Sequence, residues 1–128
     1  MNQKQELGVF GEDAAAGYLL TKGFRILARN YRAGRNEIDI IAENENYLIF
    51  AEVKTRVSAG PDSGGYGRPA SAVDAHKQRC TVACAEAFLR AHPTDKQPRM
   101  DVIEIYAGKR RGLWKVLSVC HMENAYGG

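Results

Sequence analysis

The stretch YLIFAEVKTR, residues 47–56, decides the predicted fold, because its apolar run is typical of a β-strand covered on both faces. Two charged residues, Glu52 and Lys54, interrupt this run. Burying a carboxylate or an ammonium group is costly unless the charge is paired or belongs to a functional site. The flanking sequence must therefore explain why a strand of this kind carries both charges.

Six further elements surround this strand, and their apolar patterns separate helices from strands. Helices are predicted over residues 3–22 and 71–91, and Ser71 and Asp74 form a predicted capping box at the start of the second helix. The other strands are predicted over residues 24–31, 37–42, 100–107 and 113–120. The order α-β-β-β-α-β-β predicts a single α/β domain over residues 1–128, with helices flanking a central mixed sheet.

Two segments lack a regular apolar pattern. Residues 57–69 contain four glycines and two prolines, a composition typical of a mobile surface loop. Residues 121–128 are polar and glycine-rich, so we expect this tail to be loosely held.

The composition is that of a globular protein, with 45% hydrophobic and 26% charged residues, which argues against disorder. No apolar run reaches the length of a membrane span, and the N-terminal residues lack the features of a signal peptide. The three cysteines include no CxxC pair, as expected for reduced thiols. These features predict a cytoplasmic protein without a membrane partner.

The net charge of +3 says little about partners, but the basic residues are unevenly distributed. One stretch without acidic residues lies between Asp13 and Glu37, and a second lies between Glu104 and Glu123. The basic residues in them are Lys22, Arg25, Arg29, Arg32 and Arg35 in the first, and Lys109, Arg110, Arg111 and Lys115 in the second. Both stretches are compatible with binding to a phosphate backbone and equally with a solvated basic face.

The predicted hairpin of the second and third strands brings two acids together. A two-residue turn at Glu45 and Asn46 would set a register in which Asp39 lies opposite Glu52. A four-residue loop from Glu43 to Asn46 would shift the pairing by two residues and keep both acids on the same face. Lys54 points to the same face as Glu52, because residues two apart on a strand share a face. Opposed carboxylates repel each other, so a further positive charge is expected between them.

A divalent metal ion would resolve this repulsion. Mg²⁺ prefers oxygen ligands, commonly one or two carboxylates completed by water and substrate phosphates. Asp39 and Glu52 holding Mg²⁺ (with Mn²⁺ as a substitute), and Lys54 beside it, form a pattern that favours phosphodiester hydrolysis. The alternative is a structural ion pair, because a Glu-x-Lys sequence in a strand is common.

Several motifs in order resemble a known family. The segments GEDAAAGYLLTKGFRILARNYR, EIDIIA, FAEVKTR, AVDAHKQR and MDVIEI are similar to the bacterial YraN family, an uncharacterised protein family, over about residues 8–106. That family resembles the PD-(D/E)XK nucleases, and among them the archaeal Holliday junction resolvases. The resemblance implies a restriction-endonuclease-like fold and magnesium-dependent cleavage of DNA, including branched DNA.

The resemblance also assigns roles to individual residues. The metal-binding acids of the nucleases correspond to Asp39 and Glu52, and the catalytic lysine corresponds to Lys54. An additional acid in the first helix of the resolvases corresponds to Glu12, although a solvated glutamate fits the helical pattern equally well.

The other candidates are basic residues. Lys77 lies on the apolar side of the second helix, where it could reach a scissile phosphate or extend from the edge of the core into solvent. The candidate DNA contacts are Arg29, Arg32, Arg35, Arg56 and Arg68. Two functions remain open, a DNA endonuclease and a non-catalytic nucleic-acid-binding protein with the same fold. A two-fold homodimer would suit the symmetric cleavage of two strands.

Overall fold

The computed structural model describes residues 2–57 and 74–126. Its elements are α1 (Gln3–Thr21), β1 (Arg25–Ala33), β2 (Asn36–Glu43), β3 (Tyr47–Val57), α2 (Ala75–Ala91), β4 (Gln97–Arg110) and β5 (Leu113–Tyr126). The predicted α/β order α-β-β-β-α-β-β is therefore confirmed. The glycine-rich segment predicted as a surface loop lies outside the described residues from residue 58 onward, and so do Arg68 and Ser71.

The five strands form one mixed sheet in the order β1-β2-β3-β4-β5. Strands β3 and β4 are parallel, and the other three neighbouring pairs are antiparallel. A mixed sheet with helices on its faces is consistent with a restriction-endonuclease-like fold, as the sequence predicts. Neither described helix is long and apolar enough to cross a membrane.

Strand β3 is buried on both faces, which accounts for its continuous apolar run. Ile49 and Ala51 belong to the core between the sheet and α1. Leu48 and Phe50 belong to the core on the opposite face, where α2 packs. Each of these four side chains is at most 2% exposed. Both helices therefore depend on the same strand for their packing.

The β2–β3 hairpin has the register predicted for a two-residue turn over the pairs from Glu43–Leu48 to Ile40–Ala51, but the predicted pair of Asp39 and Glu52 is not part of it. Ile40 pairs with Ala51, and Ile41 pairs with Phe50, so the connecting turn is formed by Glu45 and Asn46. The paired register ends at Ile40 and Ala51. Asp39 on β2 and Glu52 on β3 lie just beyond the last pair, so the regular pairing does not fix how their side chains are arranged.

The predicted start of the second helix is wrong. Helix α2 begins at Ala75, and its N-cap is Asp74, whose side chain accepts a hydrogen bond of 2.8 Å from the backbone N–H of Lys77. The backbone of Asp74 is extended, with φ −77° and ψ 171°. Asp74 thus satisfies an N–H group that the first helical turn leaves without a partner, which is the role that the sequence pattern assigned to Ser71.

The predicted loose tail is also wrong over residues 121–126, because β5 continues to Tyr126. The reason is a fully buried acid on β4. His121 Nε2 lies 2.7 Å from Asp101 Oδ2, and the backbone N–H of Asn124 donates to Asp101 Oδ1 at 3.0 Å. The polar residues of this segment therefore pair with a buried carboxylate, which their composition alone does not reveal.

Helix α1 approaches β3 closely at Gly11. A Cβ atom at this position would lie 1.7 Å from Thr55 Oγ1 and 2.8 Å from Thr55 Cβ. The absence of a side chain thus sets the separation between α1 and the part of β3 that carries Glu52 and Lys54. A bulkier residue would force the helix and the strand apart.

We predict that Gly11→Ala lowers the free energy of unfolding by about 1–3 kcal/mol, because the added methyl group overlaps Thr55. Gly17→Ala is the matched control, since Gly17 is an exposed residue of the same helix with open space around its Cα. That change should stabilise the protein by up to about 1 kcal/mol through helix propensity. Urea unfolding midpoints measure both effects. Equal midpoints for the two variants would show that α1 and β3 are not in close contact.

Candidate active site

Asp39 is positioned by a hydrogen bond to the strand that carries the other candidate residues. Its Oδ2 atom accepts a hydrogen bond of 2.8 Å from the backbone N–H of Val53. The β2–β3 register has already ended at this level, so the carboxylate accepts this bond in place of a backbone carbonyl. Val53 lies between Glu52 and Lys54, so the bond holds the Asp39 carboxylate beside both.

The pleat of the sheet changes at the same level. Ile38 packs with α2 and Ile40 packs with α1, although residues two apart in a regular strand share a face. On β1, Asn30 lies between Arg29 and Tyr31, which pair with Ile40 and Ile38, and it has φ 53°. Asparagine tolerates this left-handed conformation better than most residues. The local irregularity turns the Asp39 side chain out of the regular alternation toward β3.

Glu52 is held between two ammonium groups. Lys54 Nζ lies 3.4 Å from Glu52 Oε1, and Lys77 Nζ lies 3.8 Å from Glu52 Oε2. The Glu52 residue is only 5% exposed, whereas the lysine side chains are 32% and 43% exposed. Lys77 therefore reaches the site from the first turn of α2, and the two lysines supply positive charge at its solvent side.

Asp39 has no comparable compensation. Among the described residues, no lysine or arginine forms an ion pair with it. Burial, followed by the charges of Glu52 and Glu12, raises the pKa of Asp39 to about 6, although the hydrogen bond from Val53 and the charge of Lys77 lower it. Such a carboxylate is stabilised in its charged form by a bound cation.

A cleft of about 340 Å³ opens over these groups. One wall is formed by the N-terminal half of α1, and the other by Asp39 of β2 and residues 52–55 of β3. The lining residues are Lys4, Leu7, Gly8, Glu12, Asp39, Glu52, Val53, Lys54 and Thr55. The structure thus brings together Asp39, Glu52, Lys54, Lys77 and Glu12, which the sequence places far apart. Lys4 was missed, because a lysine near a helix end is usually solvated and carries no distinguishing signal.

The donor set fits a metal such as Mg²⁺ with few protein ligands. Within residues 2–57 and 74–126, no group of three or more His, Cys, Asp or Glu side chains is arranged to hold a metal ion. Asp39 and Glu52 are thus the two candidate ligands, and Glu12 lines the cleft without completing a triad. Mg²⁺ is commonly bound by one or two carboxylates together with water and substrate phosphates.

The candidate DNA-contacting arginines differ in how far their charge is already neutralised. Arg29 lies 2.8 Å from Asp13 and 3.7 Å from Glu12, and Arg32 lies 3.3 Å from Glu37. Arg56 Nε donates to Oε2 of Glu104 at 2.7 Å, and Glu104 is fully buried. As DNA contacts, these three would have to exchange or share their carboxylate partners. Arg35 lies exposed in the tight turn between β1 and β2, and Arg68 lies outside the described residues.

Tyr126 is a second residue that sequence reasoning missed. Burial, opposed by the hydroxyl of Thr81, raises the pKa of Tyr126, and the charges of Glu52 and Asp39 raise it further. Its hydroxyl therefore lies within the electrostatic reach of both carboxylates. No sequence signal could have identified it, since it belongs to the segment expected to be a loose tail.

The raised pKa of Asp39 leads to a prediction about stability. The unfolded chain ionises this carboxyl near pH 4, whereas the folded chain ionises it at about pH 6. The free energy of unfolding of the metal-free protein should therefore fall between about pH 4 and pH 6, by an amount of the order of 2 kcal/mol, and then level off. In Asp39→Asn this decline should be absent.

Urea unfolding at a series of pH values with a chelator measures this effect. Asp95→Asn is the matched control, because Asp95 is exposed in the connection before β4 and its removal should leave the wild-type profile unchanged. At neutral pH, Mg²⁺ should then raise the unfolding midpoint of the wild type but not that of Asp39→Asn. A wild-type profile in Asp39→Asn would mean that Asp39 ionises normally in the folded protein.

Comparison with known proteins places the chain in one family. The profile of uncharacterised protein family UPF0102 matches residues 11–105. A UPF0102 protein of Prosthecochloris aestuarii is 44% identical over 123 residues, which cover 94% of this chain and 93% of the relative. A UPF0102 protein of Caldanaerobacter subterraneus subsp. tengcongensis is 38% identical over 124 residues, covering 96% of both chains. A third, from Alkaliphilus oremlandii, is 40% identical over 129 residues, covering 98% of this chain and 100% of the relative. The chain therefore belongs to uncharacterised protein family UPF0102, the YraN family to which its motifs are similar.

Proposed function

We propose that this protein is a magnesium-dependent DNA endonuclease that hydrolyses phosphodiester bonds, with branched DNA among its substrates. The observation that carries the proposal is that Asp39, Glu52 and Lys54 all line the same cleft. The Glu52 carboxylate is bracketed by two ammonium groups, and Asp39 is fixed beside it by the backbone of the same strand. Two acids and a lysine in this arrangement suit hydrolysis of a phosphodiester.

The roles of the side chains follow from their positions. Asp39 and Glu52 would hold Mg²⁺, or Mn²⁺ in its place, and the bound metal would supply a water of lowered pKa and polarise the phosphodiester. The Lys54 ammonium would orient the attacking water and stabilise negative charge on the phosphoryl oxygens. Lys77 is half-exposed and approaches from α2, so it can contact a phosphate oxygen of the bound strand.

The alternative function is a nucleic-acid-binding protein that cleaves nothing. Two carboxylates at a surface that approaches phosphates would weaken such binding, because like charges repel at short range. Asp39, which has no ion pair within the described part of the chain, therefore favours the enzyme over the pure binding protein. The three cysteines are free thiols, which supports a reducing compartment and hence a cytoplasmic site of action.

A cleavage assay tests the proposal. Linear duplex, single-stranded, flapped and four-way DNA should be compared in Mg²⁺, Mn²⁺ and chelator. We expect metal-dependent cleavage that Asp39→Asn lowers by about a hundredfold or more. Asp95→Asn, purified in parallel, controls both for loss of an acid and for a contaminating nuclease. Cleavage by Asp39→Asn at the wild-type rate would assign the observed activity to a contaminant or to another site.

Lys54→Ala gives a second prediction that separates catalysis from stability. Cleavage should fall strongly, and the metal-free urea midpoint should also fall, because buried Glu52 loses its nearer ammonium group. The double variant Glu52→Gln with Lys54→Ala should recover that midpoint, since it removes both charges together. A double variant less stable than Lys54→Ala would contradict a direct interaction between the two side chains.

A further inference from the structure

Among the described strands, β4 and β5 extend beyond the last pair of β3 and β4 as a two-stranded hairpin. The last described residue of β3, Val57, pairs with Ala107. Past this point, Gly108, Lys109 and Arg110 pair only with Lys115, Trp114 and Leu113 among the described strands. We call residues 107–116 the arm. It projects from the end of the sheet that holds the C-terminal residues of the described part of β3, the half of the strand that carries Glu52 and Lys54.

Within residues 2–57 and 74–126, the positive charge of the arm has no ion-pair partner. Its basic residues are Lys109, Arg110, Arg111 and Lys115, and no acid lies between Glu104 and Glu123. In the part of the chain that the structure describes, none of these four forms an ion pair, whereas Arg29, Arg32 and Arg56 each do. Lys109 instead lies over the ring of Trp114, 5.1 Å from its centroid. The arm is therefore a concentrated cationic surface, unlike the basic residues of β1.

The tip of the arm is a tight turn that places an arginine in an unfavourable conformation. Arg111 has φ 54° and Gly112 has φ 78°, which are the signs expected for a two-residue hairpin turn of type I′. Asparagine or glycine is strongly preferred at the first of these positions. An arginine there lowers the stability of the turn while it adds a positive charge at the outermost point. A residue that destabilises the turn but adds a positive charge at its tip is better explained by binding of the charge to a partner than by a contribution to folding.

The arm has the dimensions of a groove-binding ribbon. From Ala107 to Arg110 the strand rises about 10 Å at roughly 3.3 Å per residue. The major groove of DNA is about 8.5 Å deep and about 12 Å wide, and it admits a two-stranded β-ribbon. The side chain of Leu113 beside the turn is 63% exposed, so the tip also presents apolar surface to a partner.

The arm and the candidate active site face the same side of the sheet. Lys54 pairs with Glu104. On β4, every second residue points to the same face of the sheet, so residues 104, 106, 108 and 110 share one face. Lys115, which pairs with Gly108, shares that face with Arg110. Arg110 lies six positions after Glu104, which corresponds to about 20 Å along the strand. A DNA strand advances about 3.4 Å per nucleotide, so this span equals about six base pairs.

We propose that the arm binds the groove of double-stranded DNA that flanks the cleaved phosphodiester, about six base pairs from it. The proposal rests on the proposed function, because the duplex is the flank of the substrate held at Asp39, Glu52 and Lys54. Lys109, Arg110, Arg111 and Lys115 contact its phosphates, and the ribbon of the arm occupies the groove. The arm thereby selects substrates that keep a paired segment on one side of the cut.

The test compares DNA substrates whose duplex flank is shortened in steps from about 14 to about 4 base pairs, a range that brackets the proposed six. The variant is Lys109→Ala with Arg110→Ala and Arg111→Asn. Asparagine improves the turn, so Arg111→Asn alone should fold at least as stably as the wild type. Arg90→Asn is the matched control, because Arg90 is exposed in the last turn of α2. Binding is measured in chelator and cleavage in Mg²⁺.

We expect the wild type to bind long flanks about tenfold or more tightly than flanks shorter than six base pairs, and the arm variant to bind all lengths alike. The dependence of affinity on salt should weaken by about one unit for each phosphate that the arm variant no longer binds. The arm variant should lose less affinity for single-stranded DNA than for long duplex flanks, whereas the control should bind both as the wild type does. Equal length dependence in wild type and arm variant overturns the proposal.

Two further outcomes distinguish a failure of the arm proposal from a failure of the proposed nuclease function. If the arm variant changes the oligomeric state in sedimentation and leaves the length dependence intact, the arm joins two copies of the chain and the proposal is wrong. If no protein cuts DNA while the length dependence of binding is lost in the arm variant, the arm assignment stands and the nuclease proposal fails. Arg90→Asn should behave as the wild type in every assay.

Discussion

Burial of β3 on both faces is the constraint on which the rest of the structure depends. The strand supplies core residues to α1 through Ile49 and Ala51 and to α2 through Leu48 and Phe50. A strand covered on both sides places a charged group in its middle only at a large desolvation cost unless the charge is paired. Glu52 lies in the middle of β3 and is 5% exposed, and it is paired with Lys54 and Lys77 where the β2 register has ended and the cleft opens.

The buried carboxylates of the central strands are neutralised in different ways. On β4, burial raises the pKa of Asp101, but hydrogen bonds from His121 and Arg99 outweigh it and hold that pKa below the usual range. Glu104 binds Arg56 and accepts a hydrogen bond of 2.6 Å from the Tyr106 hydroxyl, and burial together with that bond raises the pKa of Tyr106 to about 12.

The two acids of the cleft differ from these. Glu52 forms ion pairs with two lysines that are partly exposed. Asp39 accepts one hydrogen bond from a backbone N–H group and forms no ion pair among the described residues. A carboxylate that the fold leaves without a cation among the described residues supports the proposed metal site over a structural ion pair. The same comparison, made over the described ranges, separates the arm from the basic residues of β1. Arg29 and Arg32 already hold carboxylates, whereas the cations of the arm do not.

Local patterns in the sequence determined the order of the elements, the β2–β3 register near the turn, and the choice of Asp39, Glu52 and Lys54 as candidates on neighbouring strands. Hydrophobic periodicity and turn composition act over a few residues, so they could be interpreted without the fold. Only the tertiary structure decided which charges are compensated, because His121 and Asp101, or Arg56 and Glu104, meet across strands that are far apart in the chain. The end of β5 and the lining of the cleft by Lys4 and Glu12 were decided in the same way, by partners on other elements whose identity no local pattern contains.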